Sequence, residues 1–153
     1  MKYINDLVDR LGKKGIVMEA CRENEIQSIE SNIAGYKLPE AYIEFLLKMG
    51  RGTENKFMRG DSCYFDEIAD LNSGALKLLE ENDSMLTLGK KDYVFWMSQG
   101  CMFCFFKMDE GDNPPVYFYN EEGEDRFLKI SNTLTDFWLN RFDMKKSLFQ
   151  PVD

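Results

Sequence analysis

The helix that decides the fold is predicted by residues 38–52, which read LPEAYIEFLLKMGRG. Pro39 fits the first helical turn because its missing N–H has no intrahelical partner there. Large apolar side chains then recur three and four positions apart, which places them on one face of a helix. These side chains are Tyr42, Phe45, Leu46 and Met49. The glycines that follow end the helix.

Two shorter helices are predicted before this stretch. Apolar residues at helical spacing over Ile4–Leu11, followed by Gly12, predict an amphipathic N-terminal helix. A second helix is expected over Glu25–Asn32, with Asn24 as its N-cap. Both would pack by an apolar stripe.

Two more helices are predicted later in the chain. The spacing of leucines and isoleucines predicts a helix over Asp66–Glu81 that is interrupted at Gly74. A C-terminal helix over Leu134–Phe142 has an aromatic stripe and Thr133 as its N-cap.

Between these helices the hydrophobic pattern indicates short strands separated by turn residues. The predicted strands are two short ones within Asn55–Phe65, then Met85–Leu88, Asp92–Met97, Cys101–Met108, Val116–Tyr119 and Phe127–Ile130. Short turns between consecutive strands favour antiparallel pairing. The predicted class is therefore α+β, with a mainly antiparallel central sheet flanked by N-terminal and C-terminal helices.

Several strands are continuously apolar or aromatic, as in Tyr93–Trp96 and Phe103–Phe106. A one-sided antiparallel sheet should instead alternate between apolar and polar residues. Two interpretations remain: helices cover both faces, which we favour, or one aromatic face is open to a partner.

Length and charge exclude several classes of protein. The chain has 153 residues, 19 basic and 27 acidic, with a net charge of −8. The length fits one domain, residues 1–153. Phosphate-backbone binding relies on clustered Lys and Arg, and here basic residues come only in pairs, so neither nucleic acid nor an anionic membrane is an expected partner. No signal peptide or membrane span is recognisable, which predicts a cytoplasmic location.

The sequence contains no histidine, which removes the commonest nucleophilic and zinc sites. Cys101 and Cys104 form a C-x-x-C pattern, but they lie in a predicted strand, so they read as buried structural thiols. No cofactor, metal or enzymatic activity is predicted.

Two acidic clusters follow aromatic strands. The first comprises Asp109, Glu110 and Asp112, and the second comprises Glu121, Glu122, Glu124 and Asp125. They either keep an aromatic-rich protein soluble or form the negative surface that docks a basic partner such as a nuclease. Composition alone leaves both interpretations open.

The helix of residues 38–52 also resembles the signature of the SUKH superfamily, which combines an upstream acidic residue, Leu-Pro, Tyr, Phe-Leu and a Gly-rich stop. Arg51 departs from the Asn-Gly-Gly that the superfamily often shows there. The matching segments, which lie between Glu25 and Phe142, are Glu30, Leu38–Leu47, Gly50–Gly52, Asn113–Tyr117 and Leu134–Leu139.

This resemblance implies an α+β domain without catalytic residues. In bacteria such domains are similar to immunity proteins, which bind and neutralise the toxic C-terminal domain of a secreted polymorphic toxin. Our interpretation is that the partner is a cognate ribonuclease toxin of LXG type, whose active site is occluded. The alternative is a regulatory or scaffold domain, similar to regulators of fungal cell-wall synthesis.

Overall fold

A computed structural model describes residues 1–153 and confirms the α+β class. Six helices surround one five-stranded sheet. The elements are α1 Asn5–Lys13, α2 Glu23–Glu30, α3 Glu40–Met49, β1 Asp61–Ser62, α4 Phe65–Ile68, α5 Leu71–Glu81, β2 Asp92–Ser98, β3 Met102–Lys107, β4 Val116–Asn120, β5 Leu128–Ser131 and α6 Leu134–Phe142.

The sheet is an antiparallel meander in the order β1-β2-β3-β4-β5. The register of β2 on β3 shifts between Val94 and Trp96. This β-bulge lets two consecutive aromatic residues face the same layer, because Phe95 and Trp96 both contact Phe137 of α6, with ring centroids 5.3 and 6.2 Å away.

The first face of the sheet packs against α3 and α6. Tyr42 lies with its ring centroid 5.3 Å from that of Phe106, and Phe45 stacks on Trp138 at 4.7 Å. The apolar face predicted for residues 38–52 is therefore the contact between helix and sheet. Aromatic pairs in this geometry stabilise the core beyond the area they bury.

The second face packs against α5 and against Phe127 from the β4–β5 loop. The Phe127 ring contacts those of Phe103 and Phe105, with centroids 6.2 and 4.8 Å away. Phe103 and Phe105 are no more than 1% exposed. The favoured interpretation, that both faces are covered, is confirmed, and no open aromatic face remains for a partner.

The glycine-rich stop after α3 holds an ionic contact. Arg51 pairs with Glu25 and, at 3.1 Å, with Asp66, and its guanidinium lies 4.9 Å from the centre of the Phe65 ring. The arginine therefore ties α2 to α4 at the position where the superfamily often has a small residue. It leaves the fold intact.

Three helix boundaries differ from the prediction, the first because α1 continues through Gly12 to Lys13. The α2 helix starts at Glu23, and the Glu25 carboxylate accepts the backbone N–H of Arg22 at 2.8 Å, so Asn24 is not the cap. The region Asp66–Glu81 is broken after Ile68 rather than at Gly74, because Gly74 keeps its helical hydrogen bond to the carbonyl of Asp70 at 2.9 Å. The Thr133 cap is confirmed, with its Oγ accepting from Asp136 N–H at 3.0 Å.

Two predicted strands are also wrong. Residues 85–88 lie outside the sheet, although their apolar composition is typical of a strand. Within Asn55–Phe65 only Asp61–Ser62 pairs, against the end of β2, and the rest forms turns. In both cases side-chain hydrogen bonds replace strand pairing; for example, Thr53 Oγ accepts the N–H of Phe57 at 3.1 Å.

Candidate partner-binding surfaces

The sheet topology separates the two acidic clusters. The first cluster lies in the loop between β3 and β4, and the second lies in the loop between β4 and β5. They therefore sit at opposite ends of β4, whose five residues span about 13 Å at ~3.3 Å per residue. The clusters do not form one site.

The first cluster is tied into the fold. Asp109 pairs with Lys91 at 3.4 Å, and Glu110 accepts the Tyr117 hydroxyl at 2.8 Å. Burial, and then the Glu110 carboxylate, raise the pKa of Tyr117 to about 12. The carbonyl of Asp112 accepts the N–H of Ala41 at 2.9 Å and so satisfies a free donor at the start of α3.

The second cluster is joined by the C-terminal end of α5. Asn82, the residue after α5, donates to the hydroxyl of Tyr119 and, at 3.4 Å, to the carbonyl of Glu121. These contacts bring two acidic segments together that lie 40 residues apart in sequence. We call the combined surface the acidic face, and its residues are Glu80, Glu81, Asp83, Glu121, Glu122, Glu124 and Asp125.

Few cations neutralise the acidic face. Arg126 pairs with Glu124 at 3.1 Å, and Lys77 lies 3.9 Å from Glu81. Glu80 and Glu81 stand in the last turn of α5, where the partial negative charge of the helix end opposes them. The carboxylates are therefore arranged against the local electrostatics of the helix, which concentrates negative potential at this end of the sheet.

Residues 84–86 form a loop within the acidic face, and hydrogen bonds hold it in place, so we call it the fixed loop. The Asp125 carboxylate accepts the hydroxyl of Ser84 and, at 2.9 Å, the N–H of Met85. These hydrogen bonds, first from Ser84 and then from Met85, lower the pKa of Asp125. Ser84 Oγ in turn accepts the N–H of Leu86 at 3.0 Å.

The fixed loop holds the Met85 side chain 92% exposed, the largest exposure among the large apolar residues. Methionine is enriched in protein interfaces and adapts to irregular apolar pockets. An exposed apolar side chain next to the Asp125 carboxylate has the layout of an interface anchor with a polar rim.

Sequence reasoning singled out Glu121, Glu122, Glu124 and Asp125 as a charged cluster, which stays a prediction as a binding site, and it did not include the adjoining acids of α5 or Met85. The apolar pattern placed Met85 in a strand, which would have half-buried it. The acids at the end of α5 can be seen in the sequence, but no local pattern connects them with the β4–β5 loop, which comes 40 residues later.

The cysteines form no disulfide. Burial raises the pKa of the Cys21 thiol to about 11, and it also raises the pKa values of Cys63 and Cys104. Thiols with raised pKa values are poor nucleophiles, in keeping with the structural role predicted for Cys104. The same prediction is wrong for Cys101, which precedes β3 and is only half-buried. No group of three metal-ligating side chains is present, and none of the helices is long and apolar enough to cross a bilayer.

Comparison with known protein families places this α+β chain in the SUKH superfamily. Residues 23–138, about three quarters of the chain, match one family within it. The chain belongs to this family, SUKH_6, which is described as SMI1-KNR4 cell-wall. No curated protein matches the chain.

Proposed function

We propose that this protein is an immunity protein that acts in the cytoplasm. It binds the toxic C-terminal domain of a secreted polymorphic toxin of LXG type, a ribonuclease, and occludes its active site. Family membership supports a protein partner. The observation that carries the proposal is the acidic face with its exposed Met85.

The proposed mechanism is substitution for the phosphates of RNA. A ribonuclease groove is lined with Lys and Arg, and carboxylates placed in it block entry of substrate. The acidic face steers association through its field, and the apolar anchor slows dissociation. The proposal requires no cofactor, no metal and no enzymatic activity of this chain.

The first acidic cluster, Asp109, Glu110 and Asp112, stays in the proposal as a separate contact region. It lies at the other end of β4, so one compact nuclease domain would engage it through a different part of its surface. Charge reversal of each cluster alone tests each contribution.

A regulatory or scaffold domain is the second candidate function, and the cell-wall description of the family favours it. Both candidates use a protein partner. They differ in toxicity, because the partner of an immunity protein kills a host that lacks this chain.

The deciding experiment is affinity capture of the full chain from its native cells, with retained proteins identified by mass. A captured C-terminal domain should then be expressed with and without this chain. Growth arrest that only co-expression relieves supports immunity. A captured partner that is harmless on its own contradicts it and favours the scaffold function.

A further inference from the structure

A cleft of about 540 Å³ opens at the end of the sheet opposite the acidic face. It lies between the end of α2, the α4–α5 junction and the start of β2. The residues that matter for its chemistry are Ile29, Ile33, Phe65, Asp66, Lys90 and Asp92. The seven residues of β2 separate this cleft from the acidic face by about 20 Å.

Asp92 is a buried acid without a matching cation. Asp92 is only 9% exposed, and its Oδ2 atom accepts the N–H of Gly89 at 2.7 Å. The other oxygen, Oδ1, is buried and has no hydrogen-bond partner. No Lys or Arg lies within ion-pair distance of this carboxylate, since Lys91 pairs with Asp109 and Lys90 pairs with no acid.

The surrounding backbone fixes the position of Asp92. The Asn72 side chain donates to the Asp92 carbonyl at 3.3 Å and accepts the N–H of Val94 at 2.8 Å. Leaving a buried carboxylate oxygen unpaired costs stability, because the oxygen has lost water and gained no donor in exchange. An unpaired carboxylate oxygen in a cleft wall needs a partner, and a ligand in the cleft can supply the donor.

We propose that this cleft binds an alkylguanidinium or alkylammonium group. The cationic head donates to Asp92, and the aliphatic stem lies along Ile29, Ile33 and Phe65. Such a group combines an apolar body with a charged tip, which matches apolar walls that carry one unpaired carboxylate. Asp66, at the rim, has a side chain 77% exposed and is already paired with Arg51 at 3.1 Å, so Asp92 is the acid left for the ligand.

Other ligand classes fit less well. An anion is disfavoured because it would lie near the unpaired Asp92 carboxylate with Lys90 as the one basic lining residue. A neutral apolar ligand would bury Asp92 further without supplying a donor. The cation can come from an Arg or Lys side chain of a protein partner or from a free amine, and both sources share this chemistry.

The test is a titration of the 153-residue chain with N-butylguanidinium, followed by amide shifts in ¹⁵N–¹H NMR spectra. Saturable shifts centred on Asp92 and Ile33 are expected, and the neutral n-butanol should give none. Asp92→Asn keeps an acceptor for Gly89 and removes the charge, so its Kd should rise at least about tenfold. Glu30→Gln, on α2 but outside the cleft, is the matched control and should bind as the wild type does.

A second pair of variants leaves Asp92 in place. Ala69 is exposed at the cleft, so Ala69→Arg supplies a tethered guanidinium that should block the probe, whereas Ala69→Gln should not. Equal binding by wild type and Asp92→Asn, equal shifts from n-butanol, or no saturable shift would each overturn the proposal.

A capped Gly-Gly-Arg-Gly-Gly peptide separates the two sources of the cation. Binding at least as tight as the free probe assigns the cleft to a partner's side chain, and binding of the free probe alone assigns it to a small amine. Neither result depends on a toxin, so failure here leaves the proposed function untouched, and failure of the proposed function leaves this site intact.

Discussion

Replacement of Met85 by alanine should weaken partner binding and leave folding unchanged. The side chain is 92% exposed in the free protein, so nearly all of its apolar surface is available for burial by a partner. Burying a methionine contributes about 1.5–3 kcal/mol, of which alanine retains a small part. We therefore expect a loss of about 1.5–2.5 kcal/mol, or roughly 10- to 60-fold in Kd.

The assay is surface plasmon resonance against the partner domain identified by affinity capture, with urea unfolding as the stability measurement. Because the anchor acts after encounter, the change should appear in the dissociation rate, with the association rate within about threefold of wild type. The free energy of unfolding should change by less than about 0.5 kcal/mol, since the side chain has almost no packing to lose.

Met144→Ala is the matched control. Met144 is also largely exposed, at 77%, but it follows α6 on the other side of the sheet from α5. It should bind with wild-type affinity. Wild-type dissociation of Met85→Ala, or an equal loss in Met144→Ala, would refute the assignment of Met85 as the anchor.

Three further predictions test the charges and the core. Replacing Glu121 and Glu122 with Lys should slow association with the partner and flatten the dependence of the association rate on ionic strength. The rate is measured from 20 to 300 mM salt, over which the screening length falls from about 22 to about 6 Å. Association rates equal to those of the wild type over this range would show that these acids only solubilise the chain. Glu25→Gln should destabilise the fold at pH 7: hydrogen bonds from Arg51 and the Arg22 backbone lower the pKa of Glu25, so its contribution exists above the unfolded pKa of about 4.3 and is lost as the pH falls through the lower folded value. Urea unfolding at pH 7 and pH 3 should therefore show a difference between variant and wild type that shrinks in acid, and a constant difference would contradict this reason. Trp138→Ala should cost about 3–5 kcal/mol by the same method, because Trp138 is 1% exposed and stacked in the core, and a loss under 1 kcal/mol would contradict the packing.

Features set by neighbours in sequence could be predicted. The α3 helix follows from Pro39 and the apolar spacing after it, and the α6 cap follows from Thr133, because both depend on contacts within one or two turns. The meander of β2 to β5 could also be predicted, because strands joined by short turns pair antiparallel, whereas parallel pairing needs a long crossover connection.

Features that depend on residues distant in the sequence could not be predicted. Residues 85–88 have the composition of a strand, yet Asp125 holds the backbone of Met85 from 40 residues away. The start of α2 is set by a carboxylate that Arg51 also binds, so the local capping signal at Asn24 gives way to a tertiary contact.

By itself, then, the sequence determined the fold class, the main helices and strands, the acidity and the family resemblance, because each rests on local spacing or on composition. The tertiary structure alone decided which charges act together. It joined the second acidic cluster to α5 beside an exposed methionine and left one oxygen of Asp92 unpaired in a cleft, whereas the separation of the two clusters already followed from their loops lying at the two ends of one strand. The physical reason is that electrostatic and hydrogen-bond partners are chosen by distance in space, which chain order does not encode until the sheet is assembled.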